Sequence, residues 1–291
     1  MNEMNIDKFV TRFAPSPTGY LHLGHGFSAL YAAAAAQAEG GRFLLRIEDI
    51  DQTRCRPDFE ASIYDDLNWL GLSWEQPVRR QSDHMADYAG ALEKLRARDL
   101  VYRCFKTRKE ILDEIGRAPH LSADGPEGPS FIGEPLAALE ERGLLAQGAP
   151  FAWRLSMERA RQFLGGNFDG LSFCEEGKTG PVARRATPEI FGDPVIARKD
   201  SGTSYHLASV FDDGLQGVTH VIRGLDLRAA AHLHCLLQAL LDLPTPIYRH
   251  HKLITSDDGR RLAKRDQAAT LKAMREAGTS HDAVRQQLGF Q

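Results

Sequence analysis

Long apolar runs are the first thing the chain lacks. No stretch of its 291 residues approaches the ~18 apolar positions of a membrane-crossing helix, and the opening MNEMNIDKFV has no basic-then-apolar leader layout. A cytoplasmic protein without a membrane partner is expected. Cysteine is scarce: Cys55, Cys104, Cys174 and Cys235 lie too far apart for a disulfide framework or a paired CxxC metal site. Positive charge is not in excess, since the net charge of −3 argues against non-specific nucleic-acid coating while leaving room for a local basic surface. GxGxxG and GxxxxGK[ST] are both missing, which removes the usual dinucleotide and P-loop fingerprints. With 42% hydrophobic and 26% charged residues, the composition is that of a soluble globular protein.

What is present alternates between strand and helix signals. KFVTRFA, residues 8–14, reads as a strand, and Pro15 to Gly24 as a loop broken by Pro15, Pro17 and Gly19. An alanine-rich helix follows and ends at the Gly40 pair. RFLLRIED, residues 42–49, is then a buried strand with a charged end. Strand, helix, strand in this order is the βαβ unit of a doubly wound α/β fold. Helices are expected over 57–70 and 84–98 and strands over 101–105 and 151–157, with an irregular Gly- and Pro-rich loop over 116–135. Strand-like alternation spans 194–224, a helix 226–242, and a short helical tail closes the chain. The expected organisation is a first half of a catalytic α/β domain (1–106), an inserted α+β subdomain (107–194), a second half (195–250) and a C-terminal region (251–291).

The loop RFAPSPTGYLHLGHG, residues 12–26, is the first candidate site. A strand running through a turn into a helix presents free backbone N–H groups and the positive end of the helix dipole, a ready anion site. His22 and His25 can add imidazole N–H donors, and Gly24 would let a ligand approach the backbone. Spacing alone does not separate this from a capping or packing role. A second basic cluster, Arg260-Arg261-Leu262-Ala263-Lys264-Arg265, follows the turn Ser256-Asp257-Asp258-Gly259 and carries four positive charges in six residues. It reads as a polyphosphate-facing loop or as a solvated charge run.

Together these segments resemble the glutamyl subgroup of the class I aminoacyl-tRNA synthetases. PSPTGYLHLGH is similar to the HIGH signature and RLAKR stands where that class carries its KMSKS loop. RFAPSPTG, LLRIEDID, DDGLQGVTHVIRGLD and HHKLITSDDGRRLAKRD match the subgroup in order. The resemblance implies a Rossmann-type parallel sheet split by an insertion and an ATP-dependent ligase that makes glutamyl-adenylate. It implies that Arg12 and Arg223 hold substrate carboxylates, Glu48 the ammonium, Ala14 and Ser16 line the pocket and Tyr205 closes it, with His206 a secondary wall. ATP would meet Pro17, Thr18, His22, Gly24 and His25 and the loop residues Arg261, Leu262, Ala263 and Lys264, with Lys264 at the α-phosphate. His22, His25 and Lys264 are the catalytic candidates, and Mg2+ would accompany ATP. His250 and His251 are expected as polar neighbours of this site, whereas His232 and His234, two apart on a helix, face different ways. Arg79, Arg80, Arg184, Arg185 and the 260–265 cluster are candidate RNA phosphate contacts, which would make binding salt-dependent.

Two departures from the family pattern matter. Only 27 residues follow Lys264, where full members continue into an anticodon-reading region. This resembles the truncated branch that attaches glutamate, activated without tRNA, to queuosine in the anticodon of tRNA(Asp), acting as a monomer. Charging of the tRNA(Glu) 3′ end and a non-catalytic RNA-binding role remain alternatives. The second departure is at the family's zinc positions, which here read Cys104, Lys106, Phe131 and Pro135. One thiolate cannot make a four-coordinate site, so no structural zinc is expected, Cys104 is expected to be a buried thiol, and packing of Phe105 and Phe131 stands in for the metal.

Overall fold

The computed structural model of the chain describes residues 9–117, 124–177, 179–254 and 270–290. Strand β1 (Val10–Phe13) leads through the proline loop into α1 (Leu23–Ala38) and then β2 (Arg42–Ile47), α2 (Pro57–Trp69), β3 (Glu75–Arg80), α3 (Met85–Ala97) and β4 (Val101–Cys104). The middle of the chain holds α4 (Arg108–Arg117), the short pair β5 (Asp124–Gly125) and β6 (Gly128–Pro129), α5 (Ala138–Ala146), β7 (Ala152–Leu155), α6 (Met157–Leu164), α7 (Gly166–Asp169), β8 (Ser172–Gly177) and β9 (Gly180–Arg185). The remainder is β10 (Val195–Ala197), α8 (Tyr205–Leu215), β11 (His220–Gly224), α9 (Ala230–Leu241), β12 (Ile247–His251), α10 (Leu271–Glu276) and α11 (His281–Gln287).

β1, β2 and β3 form a parallel sheet, and β11, β12 and β8 form another whose edge strand β9 is antiparallel. Thr219 N–H donates to Val10 O at 2.9 Å, which sets β1 beside β11. The two parallel groups therefore run on either side of the β1/β11 seam, the kind of reversal point at whose carboxyl ends α/β folds bind ligands. Apolar side chains of the seam and its neighbouring strands fill both faces of the sheet, as buried parallel strands require: Val10, Leu44, Val221 and Tyr248 share one core cluster, and Phe13, Leu45, Ile47 and Ile222 another with helix α1.

Two parts of the sequence reading are corrected. Residues 205–215 lie inside the span expected to alternate as strand, yet they form α8. Ser204 caps it by accepting from Leu207 N–H, and the buried Leu207 and Val210 share a core cluster with α9. The local Val and Phe content favoured a strand, and the cap with tertiary packing overrode it. The boundaries around the insertion also shift. β4 pairs with β7, which lies within the expected insertion, and β8 and β9 extend the sheet of the second half instead of belonging to the insertion. Apolar runs announce a strand but not its partner, so pairing across these boundaries was not readable.

Candidate active site

A cleft of about 480 Å³ opens at the carboxyl ends of β1 and β11. It is lined by Arg12, Ala14, Ser16, Thr18, His22, Gly24, His25, Glu48, Tyr205 and Arg223, all but one of the site residues that the sequence assigned within the described segments. Pro17 is the exception. It is buried behind the loop, and its carbonyl accepts from Arg56 N–H at 3.0 Å. The loop itself is tied to the end of β2 by Glu48 N–H to Pro15 O at 3.0 Å.

The two histidines are built into the start of α1. His22 is the N-cap: its Nδ1 accepts from Gly24 N–H at 3.1 Å, while His25 Nδ1 accepts from His22 N–H at 3.3 Å. A capping box normally made by a hydroxyl and a carboxylate is here made by two imidazoles, with ring centroids 3.8 Å apart. Because each Nδ1 is an acceptor, the neutral rings carry their protons on Nε2. Two N–H donors thus join the positive end of a 16-residue helix. Gly24 lines the cleft and also makes room for a neighbour: a Cβ there would lie 3.0 Å from His22 Cε1, so its smallness accommodates the imidazole. Capping, packing and ligand-facing roles therefore coexist in HLGH. His251 stands behind this turn, with Ser28 Oγ 2.8 Å from its Nε2 and its Nδ1 3.0 Å from Lys252 O.

The other wall is a buried charge network. Arg12 donates through Nε and Nη2 to Asp213 at 3.0 and 3.3 Å, so one edge of its guanidinium is already filled. A ligand carboxylate can therefore meet only the remaining N–H groups of Arg12. Arg46, fully buried, donates to Asp213 at 2.8 Å and to Glu48 Oε1 at 3.1 Å and lies 3.7 Å from Asp212. Burial would raise the Asp213 carboxyl, but the guanidiniums of Arg12 and Arg46 outweigh it and hold it low. Glu48 goes the other way: burial pushes its carboxyl up despite Arg46 and Arg12. Its Oε1 takes both Arg46 bonds, and Oε2 accepts none from a described residue, leaving an anionic edge at the cleft. Arg46 and Asp213 escaped the sequence reading, although a charged residue inside the apolar run RFLLRI was a visible signal.

Arg223 is unlike its neighbours. Of the three buried arginines, Arg12 and Arg46 have carboxylate partners and Arg223 has none among the described residues. Its Nη1 lies 3.3 Å from Tyr205 Oη and 3.5 Å from His234 Nδ1, its Nε donates to His250 Nε2 at 3.4 Å, and its Nη2 is buried with no partner at all. His250 and His234 both stay neutral. Burial and the Arg223 charge lower His250 to about 4, and burial with Arg223 and His206 takes His234 well below its ordinary value. An uncompensated buried cation lining a cleft is an anion receptor waiting for its anion.

The segment carrying Arg260, Arg261, Leu262, Ala263, Lys264 and Arg265 lies outside the described residues. Its flanks do not: Ile254 lines the cleft, and Thr270 bridges to His22, with Leu271 N–H donating to Leu21 O at 2.8 Å. Of the arginines considered for RNA, Arg79 is ruled out as a free phosphate contact. It is mostly buried and paired with both Asp87 and Asp212 at 2.6 Å. Arg80 is shared among Asp49, Glu60 and Asp83, Arg184 pairs with Glu175, and Arg185 lies 3.7 Å from Asp169. His232, as expected, faces away from His234 and meets Thr187. At the positions where the resemblance implies zinc ligands, Cys104 and Phe131 share a buried cluster with Tyr102 and Ile111, and Lys106 Nζ lies 5.6 Å from the Phe131 ring centroid. Phe105 packs instead against Phe151.

A family model described as tRNA synthetases class I (E and Q), catalytic domain, matches residues 8–289. The chain belongs to this family. Among curated members it is 47% identical to a glutamyl-Q tRNA(Asp) synthetase of Rhodobacter capsulatus, over 97% of this chain and 100% of that one. It is 40% identical to a protein of the same name from Nocardia farcinica, over 94% of this chain and 81% of that one. Among solved structures, a glutamate tRNA ligase from Elizabethkingia meningosepticum in complex with its amino acid superposes with a TM-score of 0.72 at 29% identity. That match covers 89% of this chain and 52% of the ligase. The class I synthetase fold, a ligase of that class and its α/β parallel sheet are thereby established for this chain.

Proposed function

We propose that the protein activates L-glutamate with ATP, without tRNA, and transfers it to queuosine in the anticodon of tRNA(Asp). The observation that carries this reading is the buried, carboxylate-free Arg223 in the cleft that also holds the imidazole-capped start of α1. In that arrangement the side-chain carboxylate of glutamate meets Arg223 and the free N–H groups of Arg12, and its ammonium meets Glu48. Tyr205, Ala14 and Ser16 complete the wall. The α-carboxylate oxygen then attacks the α-phosphorus of ATP, the bond to the bridging oxygen breaks, and pyrophosphate leaves. Nε2–H of His22 and His25 and the helix terminus stabilise charge that builds on the phosphate oxygens, with Thr18 and Gly24 beside them. No protein nucleophile is needed, since alignment and electrostatics carry the step. Lys264 and its neighbours are proposed for the α-phosphate on the strength of the sequence resemblance.

Among the described residues no three His, Cys, Asp or Glu gather as a metal cage. Mg2+ would come with ATP, held by phosphate oxygens and water. For the second step, a hydroxyl of queuosine's cyclopentene diol attacks the adenylate carbonyl, AMP leaves and an ester forms. That diol is chemically similar to the 2′,3′-diol that ordinarily accepts an amino acid. We also propose that the chain works as a cytoplasmic monomer; no described helix is long and apolar enough to cross a membrane.

The test is transfer of labelled glutamate to tRNA(Asp) with and without queuosine and to tRNA(Glu). Label is expected on queuosine-bearing tRNA(Asp) alone. Label on tRNA(Glu) instead would establish 3′-end charging, and absence of glutamate-dependent pyrophosphate exchange would favour a non-catalytic RNA-binding role.

A further inference from the structure

Arg223 is the end of a hydrogen-bonded chain that leaves the site altogether. His234 Nδ1 lies 3.5 Å from Arg223 Nη1, His234 Nε2 lies 3.1 Å from His206 Nδ1, and His206 Nε2 lies 2.9 Å from Glu127 Oε1. A guanidinium only donates and a carboxylate only accepts, so the two ends dictate what lies between. His234 Nδ1 must accept, its Nε2–H must donate to His206 Nδ1, and His206 Nε2–H must donate to Glu127. Protonating either ring would set N–H against N–H or against the guanidinium. Both imidazoles are buried. Glu127 is different: its side chain is 62% exposed, and it sits in the turn between β5 and β6, in the middle segment that interrupts the catalytic sheet.

We infer that Glu127 is a positioning residue that sets the orientation of Arg223 through His206 and His234, and so couples the β5–β6 turn to amino-acid binding. The device answers a design conflict in the site. A carboxylate placed directly on Arg223 would orient it but would also neutralise it and compete with the substrate. Two neutral imidazoles pass on the orienting effect of a distant anion while leaving the guanidinium charge for the ligand. The same logic is repeated on the other side of Arg223, where His250 Nδ1 lies 3.0 Å from Glu175. Glu127 alone comes from the inserted segment, so a partner that shifts that turn changes affinity for the amino acid.

This inference rests on the glutamate reading, and two measurements keep them separable. In glutamate-dependent pyrophosphate exchange, Glu127→Ala is expected to raise KM for glutamate about ten-fold, the low end of what losing an outer hydrogen bond to a site residue costs. KM for ATP and the melting temperature should stay unchanged. Glu127→Gln, whose amide oxygen still accepts from His206, should recover most of the affinity. An unchanged glutamate KM in Glu127→Ala, or an equal rise for ATP and glutamate, would overturn the coupling. Independently of any substrate, ring-nitrogen NMR should find His206 and His234 as Nε2–H tautomers in the native protein, and should find that ordering relaxed in Glu127→Ala. Native protein without exchange activity would sink the glutamate reading, while the tautomer spectrum would still decide the relay, with mixed tautomers in the native protein counting against it.

Discussion

The Arg12 guanidinium and the Asp213 carboxylate meet edge to edge, Nε to Oδ1 at 3.0 Å and Nη2 to Oδ2 at 3.3 Å, with both residues buried. The pair joins the first strand to α8 across 201 residues of sequence. Asp213 also holds Arg46, so its loss leaves two buried cations short of an anion. Breaking such a buried pair typically costs about 3–5 kcal/mol. Asp213→Ala should lower the unfolding free energy by about that much in urea titrations, and a loss under about 1 kcal/mol, the scale of an exposed ion pair, would mean that the network is not structural.

Arg223→Ala should act on binding rather than folding, because the native guanidinium lacks a carboxylate partner and its Nη2 is already unsatisfied. Losing charge-assisted hydrogen bonds to a carboxylate should raise the glutamate KM about 100-fold, or ~2.8 kcal/mol. The ATP KM should hold. Arg223→Lys keeps the charge without the planar fork and should recover only part of the loss. Kinetics showing equal damage to both substrates would argue that Arg223 holds the cleft open rather than the amino acid.

Much of the site was legible because its residues sit in short, punctuated segments. RFAPSPTG and HLGH fall between a strand and an alanine helix, where sequence alone marks an anion site, and Arg12, Glu48 and Arg223 lie at or just beyond ends of apolar runs. The buried partners were not legible. Asp212 and Asp213 sit in a stretch read as a strand, and their meeting with Arg46 depends on α8 being a helix and packing against the sheet. The Glu127 chain was invisible for the same reason, since its members are spread from 127 to 234. Gly24 shows a subtler limit: its smallness was evident, but that smallness serves the His22 ring, which only three-dimensional proximity reveals.

His22 has two duties, and one substitution separates them. As N-cap it accepts from Gly24 N–H, and as a cleft residue it offers Nε2–H. His22→Ala loses both and should cost about 1 kcal/mol of stability along with activity. Asparagine caps helices well, so His22→Asn should keep stability within about 0.5 kcal/mol of native while adenylate formation still falls about 100-fold. Full activity in His22→Asn would reduce His22 to a cap.

At Cys104, Lys106 and Phe131 the chain offers one thiol, one ammonium and one ring where the sequence resemblance implies zinc ligands. The Lys106 ammonium, 5.6 Å from the Phe131 centroid, contributes about 0.5–1 kcal/mol as a cation–π pair, and Cys104 packs in the same buried cluster. Purified protein should carry far less than one zinc per chain, and chelator should leave the melting temperature where it was. One equivalent of tightly held zinc in elemental analysis would contradict this.

Stability should fall as the medium is acidified through the histidine range, before depressed carboxylates such as Glu175 titrate. His250 is lowered to about 4 by burial and by Arg223, against an ordinary value near 6.5, and His234 is lowered as well. The unfolded chain therefore takes up protons below about pH 6.5 that the folded chain refuses, and stability decreases with falling pH wherever the unfolded state binds more protons. Each unit of that window is worth about 1.4 kcal/mol per group, so His250 alone should remove about 2 kcal/mol between pH 7.5 and pH 5. A carboxylate such as Glu175, held at about 2 by Arg228 and His250, gives up its own contribution only at lower pH, as it falls from near 4.5 toward 2. His250→Gln cannot be protonated and should flatten the upper part of the curve by about that 2 kcal/mol. Unfolding curves for the two proteins that stay parallel from pH 7.5 to pH 5 would show that His250 titrates normally in the fold.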